Sequence, residues 1–369
     1  MCFAWRVERN LSRSWTSLAA LVVAAALVLS GCGFTGSDAY VARAGGTRLT
    51  AESKPSPVPS PGCKLAPTPS VTNQRQDIEI SGTDRWYLLS TPDPSTPSAV
   101  ESGASSPLPR PLVLDFHGLA EGAVIHSTTT QFGTLGQKDG FIVAFPNGTG
   151  SPVQWNTTTK GSTNPDLQFV AAMLSHIEAT QCIDTSRVYA SGFSDGAFMV
   201  SQLACTMSTT FAAIAAVSGL QLPKPCPTKR RVPIITFHGT ADPILFFNGG
   251  IGTATLNKLL GRGGTGSSTT TTTRPANLNG AGYPATVRAW AQKDGCSPRA
   301  TNTRISSQVI LRTYRCPAKT AVQFYIVIGG GHAWPGSAFS KSISNFTGFT
   351  TFQINATDRI WAFFQRFQL

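Results

Sequence analysis

The chain is poor in the patterns that hold metals, bind nucleic acids or cross membranes. It has no Cys-x-x-Cys pair and its five histidines are scattered. The donor spacing of a metal site is therefore missing, and neither a metal nor another cofactor is expected. Charged residues make up only 13% of the chain, so the formal net charge of +12 is spread thinly rather than gathered into runs. No nucleic-acid motif accompanies it, so no nucleic-acid partner is expected. Such a balance suits anionic polymers, or simply a soluble basic exported protein. The apolar run at residues 18–29 is short for a transmembrane helix, and the chain shows no internal repeat. Carboxylates thin out sharply in the second half. After Ser194 there is no Glu, and the only Asp residues are Asp195, Asp242, Asp294 and Asp358.

That scarcity matters because of Gly192-Phe193-Ser194-Asp195-Gly196. A strand-like run, Arg187-Val188-Tyr189-Ala190, precedes it, and a helix-like segment at residues 197–204 follows. Strand, Gly-x-Ser-x-Gly, helix is the pattern of the nucleophile elbow of α/β-hydrolases, in which the serine oxygen stands exposed at a helix start. That fold orders its triad Ser, then Asp or Glu, then His. Only His238 and His332 follow Ser194, and His238 as base would need Asp195, the neighbour of the nucleophile, as its acid. His332 is the expected base, with Asp242 or Asp294 as the acid. Asp242 follows the buried-strand run at residues 232–237, in a strand-end loop, whereas Asp294 stands at the frayed end of a helix. Asp242 is therefore favoured over Asp294 and over the alternative of a simple turn-forming Asp before Pro243. His332 sits in Gly329-Gly330-Gly331-His332, after a strand run at residues 322–328. Three glycines carry an entropic cost that makes sense where a loop must bring an imidazole close to a nucleophile.

An oxyanion hole needs backbone N–H donors aimed at the developing charge. The expected donors are Asp195, directly after the serine, and Leu119, in the His117-Gly118-Leu119 loop after the strand at residues 111–116. His117 itself reads as a brace for that loop. The Asp195 carboxylate is tolerated at a helix start and is expected at most to tune the rate. Trp334, Trp155 and Phe193 are candidate aromatic surfaces for a substrate, each equally readable as core. Asp166, in Asn164-Pro165-Asp166, reads as a helix cap.

At this point the chain resembles the secreted poly(3-hydroxybutyrate) depolymerase and feruloyl esterase group of α/β-hydrolases. The resemblance is carried by Cys182-Ile183-Asp184-Thr185-Ser186-Arg187-Val188-Tyr189-Ala190 running into the elbow, and by His238-Gly239-Thr240-Ala241-Asp242-Pro243. Trp290-Ala291 with Asp294-Gly295-Cys296, and Gly330-Gly331-His332 with Trp334-Pro335, complete it. It spans about residues 63–369 and implies an esterase with Ser194, Asp242 and His332 as its triad and no metal. Two positions depart from the group. The elbow reads Ser-Asp-Gly-Ala where Ser-Asn-Gly-Gly is usual, and the loop after His117-Gly118 lacks the usual polar, Cys-containing version. Both touch the acyl-binding rim.

Arg6, Arg9 and Arg13 precede the short apolar run, which ends in Leu29-Ser30-Gly31-Cys32. This is the plan of a secretory signal, and its end resembles a bacterial lipobox, which implies cleavage before Cys32 and lipidation of its thiol. An ordinary signal peptide cut nearby, leaving Cys32 free, is the alternative. Without residues 1–31, which carry three Arg and one Glu, the net charge falls to about +10. Residues 32–70 are rich in Ser, Pro, Gly and Thr and read as a spacer that buries nothing. Residues 249–282 form a second biased stretch, a loop insertion that is either disordered or part of a substrate rim. Six cysteines remain, and an even number in an exported chain predicts three disulfides. Cys296 with Cys316 and Cys205 with Cys226 join segments close in sequence, which leaves Cys63 with Cys182.

The remaining residues, 71–369, suffice for one catalytic domain, and alternating strand-like and helix-like runs predict an α/β fold with a mostly parallel central sheet and helices on both faces. An opening hairpin is expected at residues 77–89, helices at residues 166–181 and 357–367. The expected protein is a monomeric, exported, lipid-anchored serine esterase. Its substrate is an ester, either a polyhydroxybutyrate-type polyester or a feruloyl or acetyl ester of polysaccharide, with polymer and oligomer both open. A catalytically weak cell-surface binding protein on the same scaffold is the competing reading, and a peptidase of the same fold a third.

Overall fold

The computed structural model describes residues 56–80, 82–96, 108–157, 163–262 and 275–369. The signal segment, Cys32, most of the spacer and the Ser/Thr run at residues 267–273 lie outside the described residues.

The strands are β1 (Val71–Ile80), β2 (Thr83–Thr91), β3 (Arg110–Phe116), β4 (Ile142–Pro146), β5 (Ile183–Phe193), β6 (Ala213–Val217), β7 (Ile234–Gly239), β8 (Ala300–Arg304), β9 (Val309–Tyr314) and β10 (Val322–Val327). The helices are α1 (Gly122–Thr130), α2 (Phe132–Asp139), α3 (Pro165–Thr180), α4 (Asp195–Thr206), α5 (Thr253–Leu259), α6 (Tyr283–Lys293), α7 (Ala338–Ser342), α8 (Ser344–Thr347) and α9 (Ala356–Phe364). All ten strands join one sheet in the order β1-β2-β4-β3-β5-β6-β7-β10-β9-β8. The six strands from β4 to β10 in that order run parallel, and β1, β2, β8 and β9 add antiparallel pairs at the two ends. This is the α/β-hydrolase fold expected from the elbow motif.

β4, β6 and β7 are buried along their whole length, because helices cover both faces of a parallel sheet. Alternation sorts the side chains between two cores. Leu112, Leu114 and Phe116 of β3 pack with Phe169 and Val170 of α3 and Val200 of α4. Val113 points to the other face, with Phe145, Tyr189 and the α9 residues Trp361 and Phe364. There Trp361 stacks on Phe141 at 3.8 Å and Phe364 on Tyr189 at 4.7 Å. β8, by contrast, is exposed at every position and polar after Ala300, as suits a sheet edge. The β8–β9 pair was not anticipated from sequence, since a polar five-residue run carries no burial signal.

Two expectations need correction. The stretch before residue 71 does not all hang free. Ser60 is buried, its N–H donates to Ile183 O and its hydroxyl to Gln181 O, and Val58 N–H donates to the Asp184 carboxylate. Residues 58–65 are thus part of the folded body. Asp166 is not the cap of α3 either. Asn164 is, accepting from the N–H groups of Asp166 and Leu167, while Asp166 is buried and bonds Arg85 at 2.8 Å. The cysteines pair as Cys63–Cys182, Cys205–Cys226 and Cys296–Cys316, the three expected pairs.

Candidate active site

The loops at the carboxyl ends of β3, β5, β7 and β10 meet over the sheet, where open parallel sheets hold their ligands. Ser194 caps β5 with φ 54° and ψ −113°, a left-handed backbone that a residue with a side chain adopts only under strain. Its glycine neighbours make the turn possible. A Cβ on Gly192 would lie 2.3 Å from Gly196 O, and one on Gly196 would lie 2.1 Å from Phe116 O. The motif's glycines are therefore demanded by the close crossing of β5, α4 and β3.

Asp242 follows β7 and His332 follows β10. His332 Nδ1 donates to Asp242 Oδ2 at 2.8 Å, which leaves its Nε2 as the free lone pair. The other Asp242 oxygen accepts the N–H groups of Ile244 and Leu245, both at 2.8 Å. Burial alone would raise the Asp242 carboxyl. The facing His332, with His238 and the Leu245 amide, outweighs burial and holds it below the usual carboxylate range. Ser194 and His332 line one cavity of about 360 Å³ with Gly118, Leu119, Glu121 and Asp195. Their two side chains are not hydrogen bonded to each other in this structure. Ile125, Phe198, Ile244, Leu245, Leu256 and Ile343 make most of the remaining wall apolar.

The other candidates lie elsewhere. Asp294, at the end of α6, is buried beside Lys293 at 3.6 Å, away from the cavity. Burial, opposed chiefly by Lys293, raises its carboxyl to about 6. His238 sits behind Asp242, its Nε2 donating to Leu245 O and lying 3.3 Å from Asp242 Oδ2, with its ring stacked on Tyr283 at 3.6 Å. Burial lowers it to about 4, so it stays neutral and buttresses the carboxylate. His117 is a brace, as expected: Nδ1 donates to Gly118 O and Nε2 accepts Gly148 N–H. Burial brings it to about 4 as well.

Of the three aromatic candidates, only Phe193 reaches the cavity, and it lies 5.0 Å from the His332 ring. Trp155 and Trp334 are core residues, 3% and 1% exposed. Trp155 still supports the site from behind, its indole N–H donating to His117 O and its backbone N–H to Asp195 Oδ2 at 2.7 Å. Trp334 bonds Thr357 inside the core. Part of the biased stretch does form rim: Ile251 and Leu256, the latter on α5, line the cavity.

Among the described residues, the backbone N–H groups of Leu119 and Asp195 are not consumed by protein acceptors, and both residues face the cavity. Sequence reading missed Glu121, His126 and Asp115, which form a buried charged cluster under the same loop. Its only trace in the sequence is a carboxylate three residues after Gly118. Among the described residues, no group of three or more His, Cys, Asp or Glu is arranged to hold a metal ion.

Residues 98–265 match a family described as phospholipase/carboxylesterase. The chain is 27% identical over 240 residues to feruloyl esterase B of Piromyces equi, covering 63% of this chain and 41% of that one. It is 28% identical over 197 residues to feruloyl esterase C of Emericella nidulans, covering 52% and 65%. The matched stretches thus span less than two thirds of either relative. Among solved structures, acetyl xylan esterase from Aspergillus awamori aligns with a TM-score of 0.49 at 17% identity, over 75% of this chain and 99% of that one.

Proposed function

We propose that this chain, an α/β-hydrolase of the group its motifs and feruloyl esterase relatives share, is an exported serine esterase working through an acyl-enzyme. The observation that carries the proposal is a strained Ser194 at the elbow sharing one cavity with His332, whose tautomer Asp242 sets. In that reading His332 Nε2 takes the hydroxyl proton as Ser194 Oγ bonds to the ester carbonyl carbon. The oxygen's new charge meets the Leu119 and Asp195 N–H groups. Collapse breaks the ester C–O bond, and His332 returns the proton to the leaving alcohol. Water, deprotonated by the same imidazole, then cleaves the acyl-serine.

The apolar wall suits an acyl group with apolar surface to bury, and the relatives' names favour feruloyl or acetyl esters of polysaccharide over polyhydroxybutyrate-type polyester. Export rests on the three disulfides, which persist in oxidising compartments, and on the signal-like start of the chain. Lipidation at Cys32 would add a membrane anchor, with residues 33–57 as spacer.

The test is hydrolysis of methyl ferulate, p-nitrophenyl acetate, p-nitrophenyl butyrate and 3-hydroxybutyrate oligomers by the 33–369 fragment. Ser194→Ala should lower kcat by about 10⁴-fold or more, and the preferred ester names the acyl pocket. A folded, fully disulfide-bonded fragment that cleaves none of these esters would overturn the proposal and favour a binding protein on this scaffold.

A further inference from the structure

The loop that would supply the Leu119 donor is short and leaves the sheet abruptly after β3. Several of its other polar groups are engaged. Glu121 N–H donates back to Gly118 O at 3.2 Å and Ala120 N–H to Val153 O at 2.8 Å, and His117 Nδ1 donates to the same Gly118 carbonyl. Gly118 N–H donates to a side chain, Glu121 Oε2, at 2.8 Å. That carboxylate is held from two further directions. His126 Nδ1 donates to Oε2 at 3.0 Å and the Thr129 hydroxyl to Oε1 at 2.6 Å, both from α1. On its far side His126 Nε2 lies 3.2 Å from Asp115 Oδ2, which also accepts the Thr130 hydroxyl at 2.7 Å. A row of alternating charge, Asp115, His126, Glu121, therefore connects β3 through α1 to the Gly118 amide.

The charges are consistent with this geometry. Burial alone would lower the His126 imidazolium, but its two carboxylates outweigh burial and raise it to about 10. Burial likewise works against the Glu121 anion, yet His126, Thr129 and Gly118 bring that carboxyl to about 2. Gly118 in turn stands against the nucleophile: a Cβ placed there would lie 3.3 Å from both Ser194 Cβ and Glu121 Oε2. A shift of the loop by a fraction of an ångström would therefore be felt at Ser194 and at the Leu119 amide.

We propose that Glu121 is a positioning residue that fixes the oxyanion loop by accepting the Gly118 amide, so that the Leu119 N–H is aimed before substrate arrives. The inference rests on the esterase reading above. Since oxyanion donors act on the transition state more than on bound substrate, Glu121 should act on kcat and leave KM nearly alone.

The experiment compares the parent, Glu121→Ala, Glu121→Gln and Thr129→Val on the best ester of the panel. Each is also tested for inhibition by an alkyl boronic acid, which bonds through boron to the serine oxygen and presents a tetrahedral anion to the hole. Glu121→Ala should lower kcat by about 10- to 100-fold with KM within about 2-fold, and weaken boronate binding by a similar factor. Glu121→Gln, whose amide oxygen can still accept from Gly118, should recover most of that loss. Thr129→Val, which removes the Oε1 anchor alone, should give a smaller loss in kcat at constant KM. Parental kinetics in Glu121→Ala would overturn the proposal. So would a loss in kcat/KM that comes from a raised KM at unchanged kcat, or boronate affinity that does not follow kcat. If Glu121→Ala does not fold, the Thr129→Val result decides by the same criteria. Ser194→Ala is run alongside: activity surviving there sinks the esterase reading, whereas its loss with a parental Glu121→Ala sinks the positioning role alone.

Discussion

A carboxylate one residue after the proposed nucleophile is a poor neighbour for an oxyanion, and Asp195 is also half-buried. Burial raises its carboxyl to about 6, against the lowering effect of the Trp155 amide. A carboxyl whose folded value lies above its unfolded one is most favourable when protonated. Its contribution to stability is full below about pH 4 and is lost as the pH rises through about 6, an effect of up to about 3 kcal/mol. Asp195→Asn keeps an acceptor for Trp155 and removes that charge. Its melting temperature should exceed the parent's at pH 8 and converge on it at pH 4. The same charge opposes the oxyanion only when ionised, so the ratio of variant to parent kcat should grow as pH rises through 6. A flat ratio would show that Asp195 has no electrostatic reach into the reaction. Ser194, Asp242 and His332 could be singled out as candidates at this scale because chain order and the shortage of carboxylates left few combinations. Whether Trp155 and Trp334 were substrate surfaces or core stayed open in sequence, since an indole looks alike there whether it lines a cavity or fills a core; both are core.

Among the elements, the disulfides divide by what they close. Cys63–Cys182 spans 119 residues and ties the short 3₁₀ turn Pro61–Lys64 to the start of β5, whereas Cys205–Cys226 and Cys296–Cys316 close loops of 21 and 20. Chain entropy assigns about 5 kcal/mol to the long bridge and about 3 kcal/mol to each short one. Replacing Cys63 and Cys182 by Ala should therefore lower the denaturant midpoint more than either other double replacement does, with a raised m-value as the unfolded chain loses its longest constraint. An equal or smaller loss would indicate that the hydrogen bonds of Ser60 and Val58 hold that segment without the bridge. The buried parallel strands, the long helices and the opening hairpin announced themselves through apolar runs and turn residues. The polar β8–β9 edge did not, and the α3 cap was assigned to Asp166 when Asn164 holds it, because two capping-type residues two positions apart differ only in which one lies outside the helix.

For the molecule as a whole, the boundary of the folded body is the testable quantity. Since Val58 and Ser60 bond into β5 and its approach, a fragment 56–369 should melt with 33–369, and a fragment 71–369 should melt lower and lose its long disulfide. Equal melting of all three by calorimetry would return residues 58–65 to the spacer. Composition had placed that boundary too late: Pro and Ser mark a flexible chain only until a disulfide and a few backbone bonds fix it. The fold class and the choice of Ser194, Asp242 and His332 as candidates followed from local motifs in a compulsory order, since a strand-turn-helix and the sequence of strand ends are properties of the chain itself. The Glu121–His126–Asp115 row, the burial of both tryptophans and the placing of His238 behind Asp242 emerged only on folding. Each depends on distances between strands that are remote in sequence and on which side of a packed core a side chain falls.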